Sequence, residues 1–211
     1  VHRGGTGAAI ASSADGSRVA LRSEVAVQVW EVATQKELFL FDEPKGKPGE
    51  GQRLFLDMSA DGKYVAALNS DRTTRVWDVD AGRVAFTVED CVTAKGFGLY
   101  FSPDGSRLLV VRQVFGDEGM ERRFQVFGIP TGEMIKNALL PKESVLSIHT
   151  ASFSPNNNLL AFGMDDRLAL WDIETGDWRG NALTRITFLN PDVVRFSPDG
   201  AYVAAGEMEG G

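Results

Sequence analysis

Few residues of this chain have the type and spacing that chemistry needs. Its only histidines, His2 and His149, are far apart in sequence, and neither has a nucleophile or a second metal ligand at a useful spacing. Asp117, Glu118 and Glu121 cluster as paired catalytic carboxylates do. They lack the five-position pattern of a calcium loop and read as a solvated hairpin tip. Gly46, Gly49 and Gly51 give "DEPKGKPGEGQ" (42–52) the composition of a phosphate-binding loop. No Lys-Ser/Thr follows, and the next segment reads as a strand, so no helix N-terminus would face an anion. Cys91 is the single cysteine, which excludes a disulfide framework and a cysteine-based zinc site. Nothing near it in sequence would lower its pKa, so it reads as a free, semi-buried thiol. The expectation is a non-enzyme, with no catalytic, cofactor-binding or metal-binding residue assigned.

The bulk numbers narrow the partners. The formal net charge of −7 over 211 residues argues against nucleic acid, whose binding is driven by clustered Lys and Arg. No apolar run approaches the ~20 residues of a membrane-spanning helix. A lone cysteine fits a reducing compartment such as the cytosol. No signal-peptide pattern opens the chain, and its start at Val1 reads as an excerpt or a processed piece of something longer.

The elements that would hold any site are written as a repeat. "YFSPDGSRLLVV" (100–111) returns as "ASSADGSRVAL", "DMSADGKYVAAL", "SFSPNNNLLAF" and "RFSPDGAYVAA". The turn serines Ser13, Ser59, Ser102, Ser154 and Ser197 are 46, 43, 52 and 43 residues apart, the period of a four-stranded propeller blade. Apolar strands flank each turn, and the centres Asp15-Gly16, Asp61-Gly62, Asp104-Gly105, Asn156-Asn157 and Asp199-Gly200 predict two-residue type I′ hairpins. A third segment follows as "VQVWEV" (27–32), "TRVWDV" (74–79), "FQVFGI" (124–129) and "LALWDI" (168–173). Second turns "ATQK", "DAGR", "PTGE" and "ETGD" lead to a more polar fourth segment, "ELFLF", "RVAFTV", "EMIKNALL" and "DWRGNAL", which suits an outer edge. No stretch shows sustained helical periodicity.

At the third segment the chain resembles the WD-repeat family. Trp77-Asp78 and Trp171-Asp172 match the dipeptide that names it; Trp30-Glu31 is a near variant and Phe127-Gly128 a degenerate one. Asp71 and Asp165 stand six residues before their tryptophans, where the family places a loop aspartate; Glu24 and Glu121 hold that place in the other two repeats. The Gly-His pair that often begins a WD repeat is absent, so the Asp-His-Ser-Trp network of many members cannot form in that way. The resemblance implies an all-β fold, a β-propeller of four-stranded antiparallel blades. At this period the chain would hold blades at about 7–41, 52–89, 95–140 and 146–187 and half a blade at about 191–211. The expectation is one propeller unit over 1–211, an incomplete arc of a ring of about seven blades.

Function is then expected where the blades differ. The turns between first and second and between third and fourth strands are short and uniform, and they share one end of the propeller. The other end takes the length variation: 42–52, the insertion "QVFGDEGMERR" (113–123), which reads as a longer hairpin, and "LPKESVLSIHT" (140–150). Lys45, Lys47, Glu50, Asp117, Glu118, Arg122, Lys142 and Glu143 are the candidate partner-binding residues there. The family resemblance implies a non-catalytic scaffold for a protein or peptide, basic segments being favoured by the net charge, with other propeller segments completing the ring. The alternative is an accessory propeller of a larger enzyme, peptidase- or kinase-linked, since "SPNNNLLAF" (154–162) resembles the repeats of peptidase propellers.

Overall fold

The structure is a computed structural model that describes residues 9–23, 26–42, 55–89, 91, 98–116, 119–139, 148–164, 167–179, 184–185, 191 and 193–206. Every regular element among them is a strand. The first blade runs β1 (Ala9–Ser12), β2 (Arg18–Arg22), β3 (Ala26–Glu31) and β4 (Lys36–Asp42). The second is β5 (Leu56–Met58), β6 (Tyr64–Leu68), β7 (Thr74–Asp78) and β8 (Arg83–Val88). The third is β9 (Gly98–Phe101), β10 (Arg107–Gly116), β11 (Gly119–Gly128) and β12 (Met134–Leu139). The fourth is β13 (Ile148–Phe153), β14 (Leu159–Met164), β15 (Arg167–Asp172) and β16 (Thr184–Arg185), and β17 (Val193–Phe196) with β18 (Val203–Gly206) forms a two-stranded sheet. Each four-stranded sheet is an antiparallel meander in chain order.

The first strands β1, β5, β9, β13 and β17 lie side by side in sequence order, so the five sheets form a partial β-propeller with these strands innermost. One apolar cluster fills each seam between consecutive four-stranded blades. Leu56, Met58 and Trp77 meet Ala11, Val29 and Phe41 in the first seam. Leu108, Val110 and Phe127 meet Ala66 and Val76 in the second, and Phe162 and Trp171 meet Phe124 and Val126 in the third. Central strands covered on both faces read as continuous apolar runs, which is why "YVAAL" and "LLVV" do not alternate.

Three local features differ from the sequence reading. The first turns are not type I′: only Gly16, Gly62, Gly105, Asn157 and Gly200 have positive φ, from 60° to 72°, and the residue before each does not. Four residues lie between the closing partners, since Ser13 N donates to Arg18 O at 3.0 Å and Gly16 N to Ser13 O at 3.1 Å. The reason is the Asp side chain. Asp15 Oδ1 accepts Ser17 N at 2.9 Å, which holds Asp15 in its own local turn and leaves a single left-handed residue to close the loop.

The second difference is a bulge in the same place in three blades. The pairing of third and fourth strands shifts between Val29 and Trp30, between Val76 and Trp77 and between Val126 and Phe127. An extra outer-strand residue thus re-aims the signature aromatic at each seam. The third lies in the fourth blade. Trp178 bridges Trp171, and the outer strand β16 pairs with Leu168 and Arg167 at Thr184–Arg185, past "DWRGNAL", whose residues 180–183 lie outside the described residues.

The insertion of the third blade is the longer hairpin expected. β10 and β11 are 10 residues each and stay in register from Arg107↔Gly128 out to Gly116↔Gly119. Among the described residues the inner strand β9 pairs as far as Val111, and β12 as far as Arg123. The outer part of the hairpin is a two-stranded arm on the variable end.

Candidate functional site

The recurring serine is the keystone of each inner turn. Ser13, Ser59, Ser102 and Ser154 are buried. Their hydroxyls donate to Asp15, Asp61, Asp104 and Asn156 at 2.7 Å. Each also accepts the backbone N–H five residues on, from Arg18, Tyr64, Arg107 and Leu159, at 2.9–3.0 Å. Ser197 repeats both bonds with Asp199 and Tyr202. The hydroxyl bonds of the turns hold the Asp15 carboxyl down to about 2, and they hold Asp199 below its ordinary range. At Asp104 partial burial works against the same bonds, and the bonds prevail.

The Trp-Asp pairs are structural in the same way. Asp172 Oδ1 accepts Glu174 N at 3.0 Å and Thr175 N at 3.1 Å, and its Oδ2 accepts Arg179 Nη2 at 2.6 Å. The Arg179 bond comes first among the causes that lower the Asp172 carboxyl. Asp78 Oδ1 likewise accepts Ala81 N at 2.9 Å, so this aspartate caps the second turn. Trp77 is buried and stacked on Phe41, ring centroids 5.0 Å apart. Trp171 meets Phe124 edge-on at 4.7 Å. Each signature aromatic therefore seals its blade against the preceding one, and Phe127 does so against Phe86 at 6.2 Å. Trp30, on the first blade, is half-buried.

Asp71 sits in the loop between β6 and β7. Its Oδ1 accepts Thr73 N at 3.1 Å and Thr73 Oγ1 at 2.6 Å, and its Oδ2 accepts Arg75 Nη2. Partial burial raises its carboxyl, but these bonds prevail and hold it below the ordinary range. The loop aspartate thus works through Thr73 and Arg75 in a chain without the family's histidine. Asp165, the matching residue of the fourth blade, lies outside the described residues.

Sequence reasoning missed the side chains that join blades. Arg18 Nη1 donates to Gly62 O at 3.1 Å, and its Nη2 pairs with Asp80 at 2.8 Å. Arg107 Nη1 donates to Asn157 O at 2.8 Å. Both arginines stand five residues after a turn serine and reach the left-handed residue of the next blade's turn, so their common offset was the available signal. The outer strands make a second contact. Phe39 and Phe86 pack on Gly82 and Gly132 of the following blade, and Lys136, at the same place, donates to Glu174 O at 2.8 Å. On the innermost strands, Asp57 Oδ2 accepts Phe101 N across the second seam at 2.7 Å.

Of the candidate partner-binding residues, Lys45, Lys47, Glu50, Asp117, Glu118, Lys142 and Glu143 lie outside the described residues. Arg122 falls on the arm, opposite Gln113. His2 and the glycines of 42–52 also lie outside them, and His149 is half-buried on β13. Cys91 is fully buried rather than semi-buried, with Thr74 Oγ1 donating to its sulfur at 3.3 Å, and burial pushes its thiol up. Among the described residues no group of His, Cys, Asp or Glu is arranged to hold a metal ion, and no helix is long and apolar enough to cross a membrane.

No curated protein matches the chain. Residues 54–78 and 141–172 match the family model described as WD domain, G-beta repeat. The first match contains Asp71 and Trp77-Asp78, the second Trp171-Asp172, and each ends on a capping aspartate. With the same turn and sealing aromatic recurring from blade to blade, the two matches support a WD-repeat family, and the four-stranded sheets are consistent with propeller blades.

Proposed function

We propose that this chain is a non-catalytic scaffold that binds a protein or peptide through the end of the propeller carrying the β10–β11 arm. WD repeats generally build interaction domains. The observation that supports the choice of end is the division of labour along each blade. At one end the turns are consumed by structure: serine keystones, arginine clamps and glycines that receive the neighbour's ring. At the other end the blades differ in length, and among the described residues the third extends its central hairpin beyond the pairing of both flanking strands. Variable loops on a rigid scaffold are where recognition concentrates. The net charge of −7 favours a partner segment with basic residues.

The chain is further proposed to be an arc of one larger propeller. The outward face of the first blade exposes Ile10, Leu21 and Leu40, at 50%, 36% and 47%. In the second blade the positions matching Ile10 and Leu21 are Leu56 and Ala67, both buried in the first seam. A further blade would cover this face as the first blade covers the second.

Binding is tested by trimming the arm to a two-residue turn between Val111 and Phe124 and comparing crosslinked partners of the two chains at matched thermal stability. Loss of a partner with the arm supports the reading. An unchanged partner set removes the arm from it.

A further inference from the structure

Among the described side chains are three methionines, and two of them are core. Met58 is 4% exposed in the first seam, and Met164 is 3% exposed in the third. Met134 is 50% exposed at the start of β12. It stands opposite Phe127, at the step where the pairing of β11 and β12 shifts. A thioether so open to water is within reach of small oxidants, and the other two are shielded from them.

Met134 differs from an ordinary surface methionine in what lies against its sulfur. Gln125 stands two residues before Phe127 on the same face of β11 and is 4% exposed. Its Nε2 donates to Met134 Sδ at 3.3 Å and to Asn137 Oδ1 at 3.3 Å. A thioether sulfur is a weak acceptor, so the amide commits one of its two N–H groups to a poor partner. Its Oε1 is buried and has no partner. The surrounding strands hold Gln125 in place, so one face of the sulfur is closed by a fixed donor. Divalent sulfur has two lone pairs. An oxygen added to the engaged one would have to fit inside the 3.3 Å between Nε2 and Sδ, which leaves no room for it. The other lone pair is the one an oxidant can reach.

We propose that Met134 is a site of reversible oxidation by a peroxide, and that Gln125 restricts the product to a single sulfoxide epimer. The free sulfur lone pair attacks one peroxide oxygen, and the S–O bond forms as the O–O bond breaks. The departing oxygen takes the proton of the transferred one and leaves as water, or as an alcohol from an organic hydroperoxide. Sulfur is oxidised by two electrons and the peroxide is reduced by two. The sulfoxide sulfur keeps its engaged lone pair but carries positive charge, so the Gln125 N–H loses its acceptor there. Oxidation thereby undoes the side-chain tie between β11 and the start of β12, and reduction of the sulfoxide restores it.

The test treats the whole chain with hydrogen peroxide and resolves each methionine by digestion and mass spectrometry. Met134 is expected to be oxidised at least about tenfold faster than Met58 and Met164, a difference that disappears in urea. Its sulfoxide is expected to be reduced by one of the two epimer-specific methionine sulfoxide reductases and to resist the other. Sulfoxide formed in urea is divided between both. Gln125→Leu removes the donor, and Met134 sulfoxide then becomes a substrate for both enzymes. Should that variant fail to fold, the epimer ratio in the unmodified chain decides alone. The proposal is overturned if Met134 reacts no faster than the buried pair, or gives both epimers equally in the folded chain. A folded Gln125→Leu chain that still gives one epimer overturns it as well.

Discussion

Arg107 reaches from the third blade to the carbonyl of Asn157 in the fourth, 2.8 Å away, and Arg18 makes the same reach to Gly62 two seams earlier. In each case the acceptor is the residue whose left-handed φ closes the next inner turn. A blade therefore recognises its neighbour through the very residue that shapes the neighbour's hairpin.

Removing either clamp should loosen one seam without disturbing the blades. A hydrogen bond from a charged donor contributes about 1.5–3 kcal/mol. Arg18 and Arg107 are partly exposed, so the lower half of that range applies. Arg107→Ala is expected to cost about 1.5–2 kcal/mol in urea unfolding, and Arg18→Ala a similar amount. Losses below about 0.3 kcal/mol in both would mean that these bonds do not hold the seams.

The glycines of the turns separate two costs. Gly132 has φ 71°, and a Cβ there would lie 2.5 Å from the Phe86 ring; Gly82 is crowded by Phe39 in the same way. Gly16 has φ 71° with nothing within 4 Å. Gly16→Ala should cost about 1 kcal/mol, the left-handed penalty alone. Gly132→Ala adds overpacking against a neighbouring blade, for about 2–4 kcal/mol in total. Equal losses at the two sites would show that the outer-strand aromatics yield freely.

The repeat made the blades legible. Strand order, the arm and the cores follow from serine spacing and apolar runs, because a period of 43–52 residues leaves few ways to bury "YVAAL" or "LLVV". The turn type was misread because Asp-Gly suits both a two-residue and a four-residue loop. The choice between them lies in where the Asp15 carboxylate goes, which is a three-dimensional fact. Asp57 was passed over for a related reason. "LFLDM" reads as an apolar strand with one polar interruption, and only the neighbouring strand reveals that Phe101 N receives it. The candidate partner residues were placed by charge and loop length, signals that carry no geometry.

Acid should attack the turns before it attacks the cores. Asp104 and Asp199 have carboxyls below their unfolded value, so the stability they contribute is present above about pH 4 and is lost as pH falls through their folded values. The fourth blade shows the uncharged solution, since Asn156 accepts Ser154 Oγ at the same 2.7 Å. Asp104→Asn is expected to leave stability at pH 7 within about 1 kcal/mol of the parent and to flatten part of the loss between pH 4 and 2. Circular dichroism across that range checks it; an unchanged acid limb would exclude this carboxylate as a source.

Trp77 and Trp30 occupy the same place in successive repeats, but only Trp77 has a blade against it. Trp77 is 4% exposed and stacked on Phe41, whereas Trp30 is half-buried beside the exposed Ile10 and Leu21 face. Trp77→Ala removes a filled seam and should cost about 3–5 kcal/mol. Trp30→Ala removes contacts on one side only and should cost roughly half as much, about 1.5–2.5 kcal/mol, because part of its surface is already in water. The comparison also probes the outward face in solution. If Trp30→Ala costs as much as Trp77→Ala, something covers the first blade there, and the smaller cost holds only for the uncovered arc. Indole fluorescence gives an independent reading: a covered Trp30 resists quenching by acrylamide, and an uncovered one is quenched in the folded chain.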